Sequence, residues 1–593
     1  MTTARAIDRL TLVRQWRSIA PYLRRLRPYR PLVATSMALG ACAVGLALVN
    51  PYLTKLIVDR ALGQRDLWLF LLLTAGVGGV FLLNGVVTAV QHYLDRYVVT
   101  RLQFDLRRDL LRHLLAVDLG DVNRMAGGQV LYRAGYDADQ ATRFVAAVPT
   151  RAVTLLPRLG ITLTVVWSMN WEMALWMVLV GSVVFLPSYQ LTRRMQVIFR
   201  AWLEQAEGLY QRMNELLSQA LLVKAFGAER RELRRYIQRL VSSTRAMLRA
   251  ARWEVAHGML GGASQRLAIG LTACYGGYLV IRGRMSLGSL TAIMIYLRQL
   301  AGVQAEIAGL LPETTMAATS CERLTEMLRT TPHIVDRPGA SPSALSRGTI
   351  VFDRVTFGYA VGAPVLRDIS FHIPAGSHVA IVGPSGCGKT TILNLLLRLY
   401  EPWSGEIRIG DRPLHQVTLT SLREQIGVAL QTPMLWNDTI EANIRYGSPR
   451  ADQREGVEVA RLCGVDGWVS RLPNGYVTVI GERGERLSVG QQQRIAIARA
   501  LIKRPAILLL DEAMASVEVE QEHRIIEAIR RVYPAMTLVV VSHRLSSVLQ
   551  AEQVYYLQAP DRVVVDTADR LLQNEASFQR LFQQQPVIEP MSV

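Results

Sequence analysis

His378–Leu399 reads "HVAIVGPSGCGKTTILNLLLRL": a short β-branched run, a glycine-rich loop, then an apolar helix. The spacing G-x-x-x-x-G-K-T lets successive backbone N–H groups converge on phosphate oxygens, with a helix N-terminus behind them. Lys389 supplies a mobile charge, and the Thr390 hydroxyl is placed to reach Mg²⁺. The strand before the loop and the helix after it are the context this pattern requires. About 120 residues further on, "AILLLDEA" (Ala506–Ala513) is a buried strand ending in two acids. Asp511 suits a Mg²⁺ held through water, and Glu512 suits polarisation of an attacking water. Short strands alternating with helices around these stretches give an α/β domain with a largely parallel sheet, placed at 346–585.

The rest of the chain is different in kind. It has 593 residues, half of them hydrophobic and 19% charged, which leans toward a membrane protein. Six apolar segments lie at 32–58, 67–92, 144–168, 172–192, 258–281 and 287–310. Each is long enough to cross a ~30 Å hydrocarbon core at 1.5 Å per residue. The net charge of +19 is carried almost wholly by arginine, with lysine only at positions 55, 224, 389 and 503. That balance fits a positive-inside membrane protein better than a nucleic-acid binder, and no nucleic-acid partner is expected. Arginine-rich flanks place both ends of the six-span region in the cytoplasm. Five scattered cysteines without a CxxC pair argue against a disulfide framework or a zinc site. No cleaved signal peptide and no protease domain before the first span are expected.

The spans are predicted to outrun the membrane. From Leu67 to Asp118 there is no proline, which gives ~75 Å of helix. Its second half, "DRYVVTRLQFDLRRDLLRHLL" (Asp95–Leu115), carries charge on most turns and cannot sit in lipid. The fourth span continues likewise toward Tyr236. Turns between long helices are expected at Met125–Arg133, around Gly127–Gly128, and at Ala225–Glu232, around Gly227. Residues 1–31 read as an interfacial cytoplasmic segment, 32–329 as a six-helix transmembrane domain, 330–345 as a linker and 586–593 as a tail.

In chain order, the phosphate loop, "LSVGQQQR" (Leu487–Arg494), "LLLDEA" and "VVVSHRL" (Val539–Leu545) resemble the nucleotide-binding domain of ATP-binding-cassette (ABC) proteins. LSVGQ is the most specific of these, since generic phosphate-loop ATPases lack it. With six extended spans before it, the whole chain resembles an exporter-type half-transporter: a multidomain membrane protein whose six-helix transmembrane domain precedes a P-loop ATPase domain. The resemblance implies an ATP site built from Tyr359 on the adenine, Gly383, Pro384, Ser385, Gly386, Cys387, Gly388, Lys389, Thr390 and Thr391 around the phosphates, and Asp511. It implies Mg²⁺ held by Thr390, Gln431 and Asp511, and catalysis by Glu512, His543 and Gln431. "TVIGERG" (Thr478–Gly484) resembles the exporter motif that touches the coupling helices. Ser488, Gly490 and Gln491 are implied to act on ATP bound by a partner cassette, so the chain must pair with a second half-transporter.

That partner is taken as a second copy, with a heterodimer or an exporter-fold importer as alternatives. Six spans exclude a soluble ABC ATPase acting on DNA or ribosomes. A channel or regulatory subunit would need additional regulatory segments. The implied function is ATP-driven export or flipping of amphiphilic small molecules, lipids or peptides across the cytoplasmic membrane. One departure stands out: the family usually ends this stretch S-A-L-D, and here Ala515–Glu518 reads "ASVE". Arg158 lies ~18 Å before the outer turn at Asn170, and Arg298 ~15 Å along the sixth span. Charges at that depth face a cavity sooner than lipid. Asn84, Gln91 and Gln265 are expected to share that cavity, which would then favour anionic amphiphiles.

Overall fold

The computed structural model describes residues 15–125, 127–183, 208–209, 212–342 and 348–582. The chain divides into two compact units, Met1–Ala116 with Met125–Thr331, and Val117–Arg124 with Pro332–Val593.

The first unit is helical. Its principal helices are α1 (Arg30–Leu56), α2 (Leu67–Ala116), α4 (Ala138–Met169), α5 (Glu229–Ile281) and α6 (Leu287–Arg329), while α3 (Leu119–Arg124) belongs to the second unit. Helix α2 runs 50 residues without a break, as its sequence predicts. Asp66 starts it by accepting from the backbone N–H groups of Trp68 and Leu69 at 3.0 and 3.1 Å. Its second half keeps a buried stripe at every fourth residue, Val98, Leu102, Leu106 and Leu110. That spacing is one face of a helix. The stripe packs with Ile19, Tyr22 and Leu26, Ala138, Ala141 and Val145, and Leu324. The N-terminal segment is therefore more than an interfacial anchor. Its Arg25 pairs with Asp109 at 2.6 Å, and its Tyr29 hydroxyl donates to Asp105.

By length and composition, Gln15–Leu62, Leu67–Ala116 and Val130–Met169 can cross a membrane; the apolar parts Trp171–Val183 and Leu287–Val303 are shorter. The predicted fourth span and its extension lie partly outside the described residues. So do the end of the linker and the predicted tail.

The two expected turns fare differently. Gly227, at φ +54°, does break the chain between Ala220–Ala225 and α5. Of the expected Met125–Arg133, Met125 is a bend that ends α3, and Gly127–Tyr132 is helical; the chain also turns earlier, at Val117–Asp118. The Asp118 carboxylate accepts from the N–H groups of His333 and Ile334 at 2.8 and 3.1 Å, fastening the turn to the linker.

The second unit carries two sheets. One is antiparallel, ordered β2-β1-β4-β5, from β1 (Ile350–Phe357), β2 (Leu366–Ile373), β4 (Ser404–Ile409) and β5 (Arg412–Pro413). This antiparallel sheet stands beside the largely parallel one expected from the sequence. The other sheet is ordered β10-β9-β3-β8-β7-β6. It uses β3 (His378–Val382), β6 (Ile426–Ala429), β7 (Ile507–Asp511), β8 (Thr537–Val541), β9 (Gln553–Ala559) and β10 (Arg562–Asp566), all parallel except β10. Strands β3, β7 and β8 are buried at every residue, as a parallel sheet covered on both faces requires. Helices α7 (Lys389–Leu396), α8 (Val489–Leu501), α9 (Val519–Val532) and α10 (Leu545–Leu549) complete the unit's working parts.

Asp59, after α1, accepts from the Ser286 hydroxyl at 2.6 Å and from the Gly288 N–H at 2.8 Å, capping α6 from another helix. A cap of this kind is worth ~1 kcal/mol. Asp59→Ala should lower the thermal unfolding midpoint of the detergent-solubilised protein, and Asp59→Asn should recover most of the loss. Equal midpoints for all three proteins would show that the cap contributes nothing.

Candidate functional site: a nucleotide site at the sheet edge

The site forms where β3, β8 and β7 end together. Register pairs Asp511 with Val541 and places Ile381 beside the same strand residue. Ligands of open α/β sheets bind at this carboxyl edge.

Leaving β3, the loop Gly383–Gly388 turns tightly. Gly388 has φ +105°, and a Cβ there would lie 2.6 Å from the Leu366 side chain. Only glycine fits. The Lys389 ammonium is buried and donates to the carbonyls of Gly383 and Pro384 at 2.8 and 3.0 Å, which leaves one donor free. Burial pushes the Cys387 thiol up, with Lys389 opposing, so the loop cysteine is a packing residue and no ready nucleophile.

Next to the loop, the Thr390 hydroxyl donates to Asp511 at 3.3 Å. Burial raises the Asp511 carboxyl above the ordinary range, with Glu512 adding to it and Thr390 opposing. The fold alone thus works against ionisation of Asp511. A divalent cation would reverse that preference, and the hydroxyl and buried carboxylate are the hard oxygen ligands Mg²⁺ takes.

Glu512 follows with φ +50°, a left-handed conformation that costs a non-glycine residue ~1–2 kcal/mol. Its own N–H, bonded to the Val541 carbonyl at 3.0 Å, holds it there. The carboxylate is bridged. His543 Nε2 lies 2.8 Å from one oxygen, and the Gln431 amide donates to the other at 2.7 Å. All three predicted catalytic side chains thus meet at one carboxylate, which is oriented to polarise a water or hydroxyl beside it.

Tyr359 stands edge-on to Phe357 and Tyr400 and bonds Thr391 and Asn394 through its hydroxyl. One ring face is left for a planar base.

Ser488 caps α8. Its hydroxyl accepts from the Gln491 N–H at 3.3 Å, and the Gln491 side chain returns the bond to the Ser488 N–H at 2.9 Å. Gln491 is thus spent on the cap. A Cβ at Gly490 would stand 2.7 Å from the Ser516 carbonyl, which fixes glycine there. No hydrogen bond joins Ser488, Gly490 or Gln491 to the Gly383–Thr391 loop of the same chain, so this helix N-terminus offers its N–H groups elsewhere.

Sequence reading missed the ties behind these groups. The Arg544 guanidinium donates to the carbonyls of Val517 and Ala515 and to Glu522, whose other oxygen accepts from Ser547. Arg499, on α8, holds the Met434 carbonyl at 2.6 Å and both the backbone and side chain of Asn443. It links the segment after Gln431 to the LSVGQ helix. An arginine at a core-facing helical position was the available signal.

The five residues proposed for a cavity are not gathered. Gln91 is buried against the close approach of α1 and α4 at Gly40 and Thr154, Arg158 and Gln265 are half-buried, and Arg298 is exposed. No hydrogen bond or ion pair joins any two of them. The Arg158 Nε and Asn84 Oδ1 are buried without partners, whereas Arg151 is paired with Glu313.

Sequence profiles agree with this geometry. That of the ABC transporter transmembrane region matches residues 33–303, and that of the ABC transporter cassette matches 366–515. An ATP-dependent lipid A-core flippase of Syntrophus aciditrophicus is 30% identical, over 95% of this chain and 94% of that protein. The chain belongs to the ABC transporter family. This ABC transporter is also 32% identical to a multidrug efflux ATP-binding/permease protein of Mycobacterium bovis over 96% of its length, but spans only 47% of that relative. The chain thus spans about half the length of some curated relatives it matches. A solved bacterial Atm1-family ABC exporter with ATP bound superposes with a TM-score of 0.84 at 26% identity, covering 94% of this chain and 99% of that one. The ABC transporter is a membrane protein with an ATP-binding domain.

Glu518, the departure noted in the sequence, stands at the N-cap of α9 and makes no side-chain cap bond. Its charge acts instead on Arg494 of α8. An Asp cap contributes ~1 kcal/mol that the longer Glu forgoes. Glu518→Asp should raise the midpoint of cassette unfolding in the full chain. An unchanged or lower midpoint would mean that the Arg494 interaction is worth more than the cap.

Proposed function

We propose that this chain is one half of an ATP-driven exporter or flippase. Two copies would pair head to tail, moving hydrophobic or amphiphilic compounds across the cytoplasmic membrane by alternating access. The N-terminus and cassette lie on the cytoplasmic side, where the arginine-rich flanks belong. The observation that carries the reading is the bridged Glu512 carboxylate beside the phosphate loop.

In this reading Gly383–Thr391 cradles the phosphates, the free Lys389 donor takes a phosphate oxygen, and Tyr359 stacks on adenine. Thr390, Asp511 and Gln431 would hold Mg²⁺, which when bound neutralises phosphate charge. Glu512 orients and polarises the attacking water, and His543 steadies the carboxylate and the γ-phosphate. Ser488 and Gly490 face the nucleotide of the other half, a role supported by their lack of bonds to their own loop. Closing the pair is therefore tied to nucleotide, and cleavage removes the phosphate that joins the halves.

ATP turnover of this chain alone in lipid, beside Glu512→Gln, tests the reading. Wild-type turnover should fall ~10²-fold or more in the variant while ATP binding persists. Undiminished turnover in the variant would remove Glu512 from its role. A wild-type protein that is folded, binds ATP and does not turn it over would replace the second copy with a different half-transporter.

For cargo we propose an amphiphile with an anionic group, on the strength of the partnerless Arg158 Nε and the exposed Arg298. A buried charge without a partner is costly in a membrane. Arg158→Ala and Arg298→Ala should each lower the stimulation of ATP turnover by an anionic lysolipid more than that by its zwitterionic counterpart. Equal loss for both lipids, or none, would end the anionic preference.

A further inference from the structure

The α/β unit has a second cavity at the opposite end of its sheet from the nucleotide site. Its volume is about 600 Å³, within the range of small-molecule pockets. It opens between the first residues of β3 and β8, the second half of α9 and the end of α10. Ile526, Met536 and Leu538 wall it, His378 lies at its base, and Arg530 and Arg531 stand at its rim.

His378 is the unusual member. It is 1% exposed, and neither ring nitrogen makes a hydrogen bond. Burial lowers its pKa to about 4, with Arg530 pushing the same way and the Gln550 backbone offsetting part of the effect. The ring is therefore neutral, and the base of the cavity carries no charge. At the rim, Arg530 pairs with Glu552, and Arg531 with Glu527 at 2.8 Å. Both pairs are solvent-exposed, hence weak, and each guanidinium retains donors for a second carboxylate.

We propose that this cavity binds a small aromatic acid, and that its occupancy modulates ATP hydrolysis. The ring lies against Ile526, Met536 and Leu538 above the buried His378, and its carboxylate meets Arg530 and Arg531. The route to hydrolysis is short. Helix α9 presents Ile526, Arg530 and Arg531 to the cavity and begins directly after Ala515–Glu518. That segment touches Gly490 through the Ser516 carbonyl and is held by Arg544. The regulatory part rests on the ATPase reading; binding does not.

Salicylate is a suitable probe. Its binding to the full chain in nanodiscs, without nucleotide and against empty nanodiscs, can be followed by ligand-observed NMR. Saturable binding is expected in the wild type. Leu549→Trp, which narrows the mouth, and His378→Phe, which removes the base, should each weaken it by tenfold or more (~1.4 kcal/mol). Turnover without salicylate should stay within about twofold in Leu549→Trp, which keeps the site falsifiable if His378→Phe fails to fold. Absence of saturable binding, or equal affinity in wild type and Leu549→Trp, overturns the site. Specific binding that leaves wild-type turnover unchanged overturns the regulatory part alone.

Discussion

Three buried parallel strands that must end on one edge set the terms for the cassette. Strands β3, β8 and β7 have no exposed residue, so their polar chemistry can begin only where they stop. Each stops in a part of the proposed site: the glycine loop after Val382, Ser542–His543 after Val541, and the acid pair at Asp511. Residues more than 160 positions apart are thus brought together by hydrophobic burial and ladder register. The site's one backbone strain, at Glu512, is held by a bond from that same ladder. Losing the register would lose the bridge to His543 before it lost the fold.

The second constraint is that α8 and the segment before α9 press together. The Gly490–Ser516 approach leaves no room for a side chain, and Gln493 accepts from the Ser516 N–H at 3.0 Å behind it. Arg544 adds two carbonyl bonds from the residue after His543. A movement of His543 is therefore felt at Ala515–Val517, and through them at the LSVGQ helix. Glu518 sits in this junction. It makes no cap bond to α9, and its charge acts on Arg494 of α8.

Much of this was legible in the sequence, and the exceptions share a cause. The phosphate loop, the 50-residue helix and the turn at Gly227 are written in local patterns of glycine spacing, absent proline and charge periodicity. Local patterns failed where a distant partner decided. The turn expected around Gly127–Gly128 has its bend at Met125, and a second turn, at Val117–Asp118, is held by Asp118 bonded to His333 and Ile334. Ile350–Phe357 has the composition of any strand, and only its pairing with Leu366–Ile373 and Ser404–Ile409 puts it in the antiparallel sheet. Arg499 and Arg544 do not stand out in a chain so rich in arginine. Their role is visible only once the carbonyls they serve are placed.

The helical unit distributes its polar ties unevenly. Asp59 fastens the start of α6. Glu172, at the other outer turn, takes Tyr275 and Arg284. Asp95 joins α1 and α4 through Ser36 and Thr150 at 2.5 and 3.2 Å, and Asp105 and Asp109 hold the N-terminal segment. These bonds cluster toward the helix ends and the cytoplasmic extension. Buried polar atoms without hydrogen-bond partners remain along the unit, among them those of Asn50, Asn84, Arg158, Thr272 and Gln299. Specific hydrogen bonds resist separation, while apolar side chains between helices gain little over lipid. A unit tied at its ends and loose at its middle can part there without breaking its strongest contacts. At the partnerless atoms of Asn84 and Arg158, solvation or a bound headgroup would recover free energy that the closed packing forgoes.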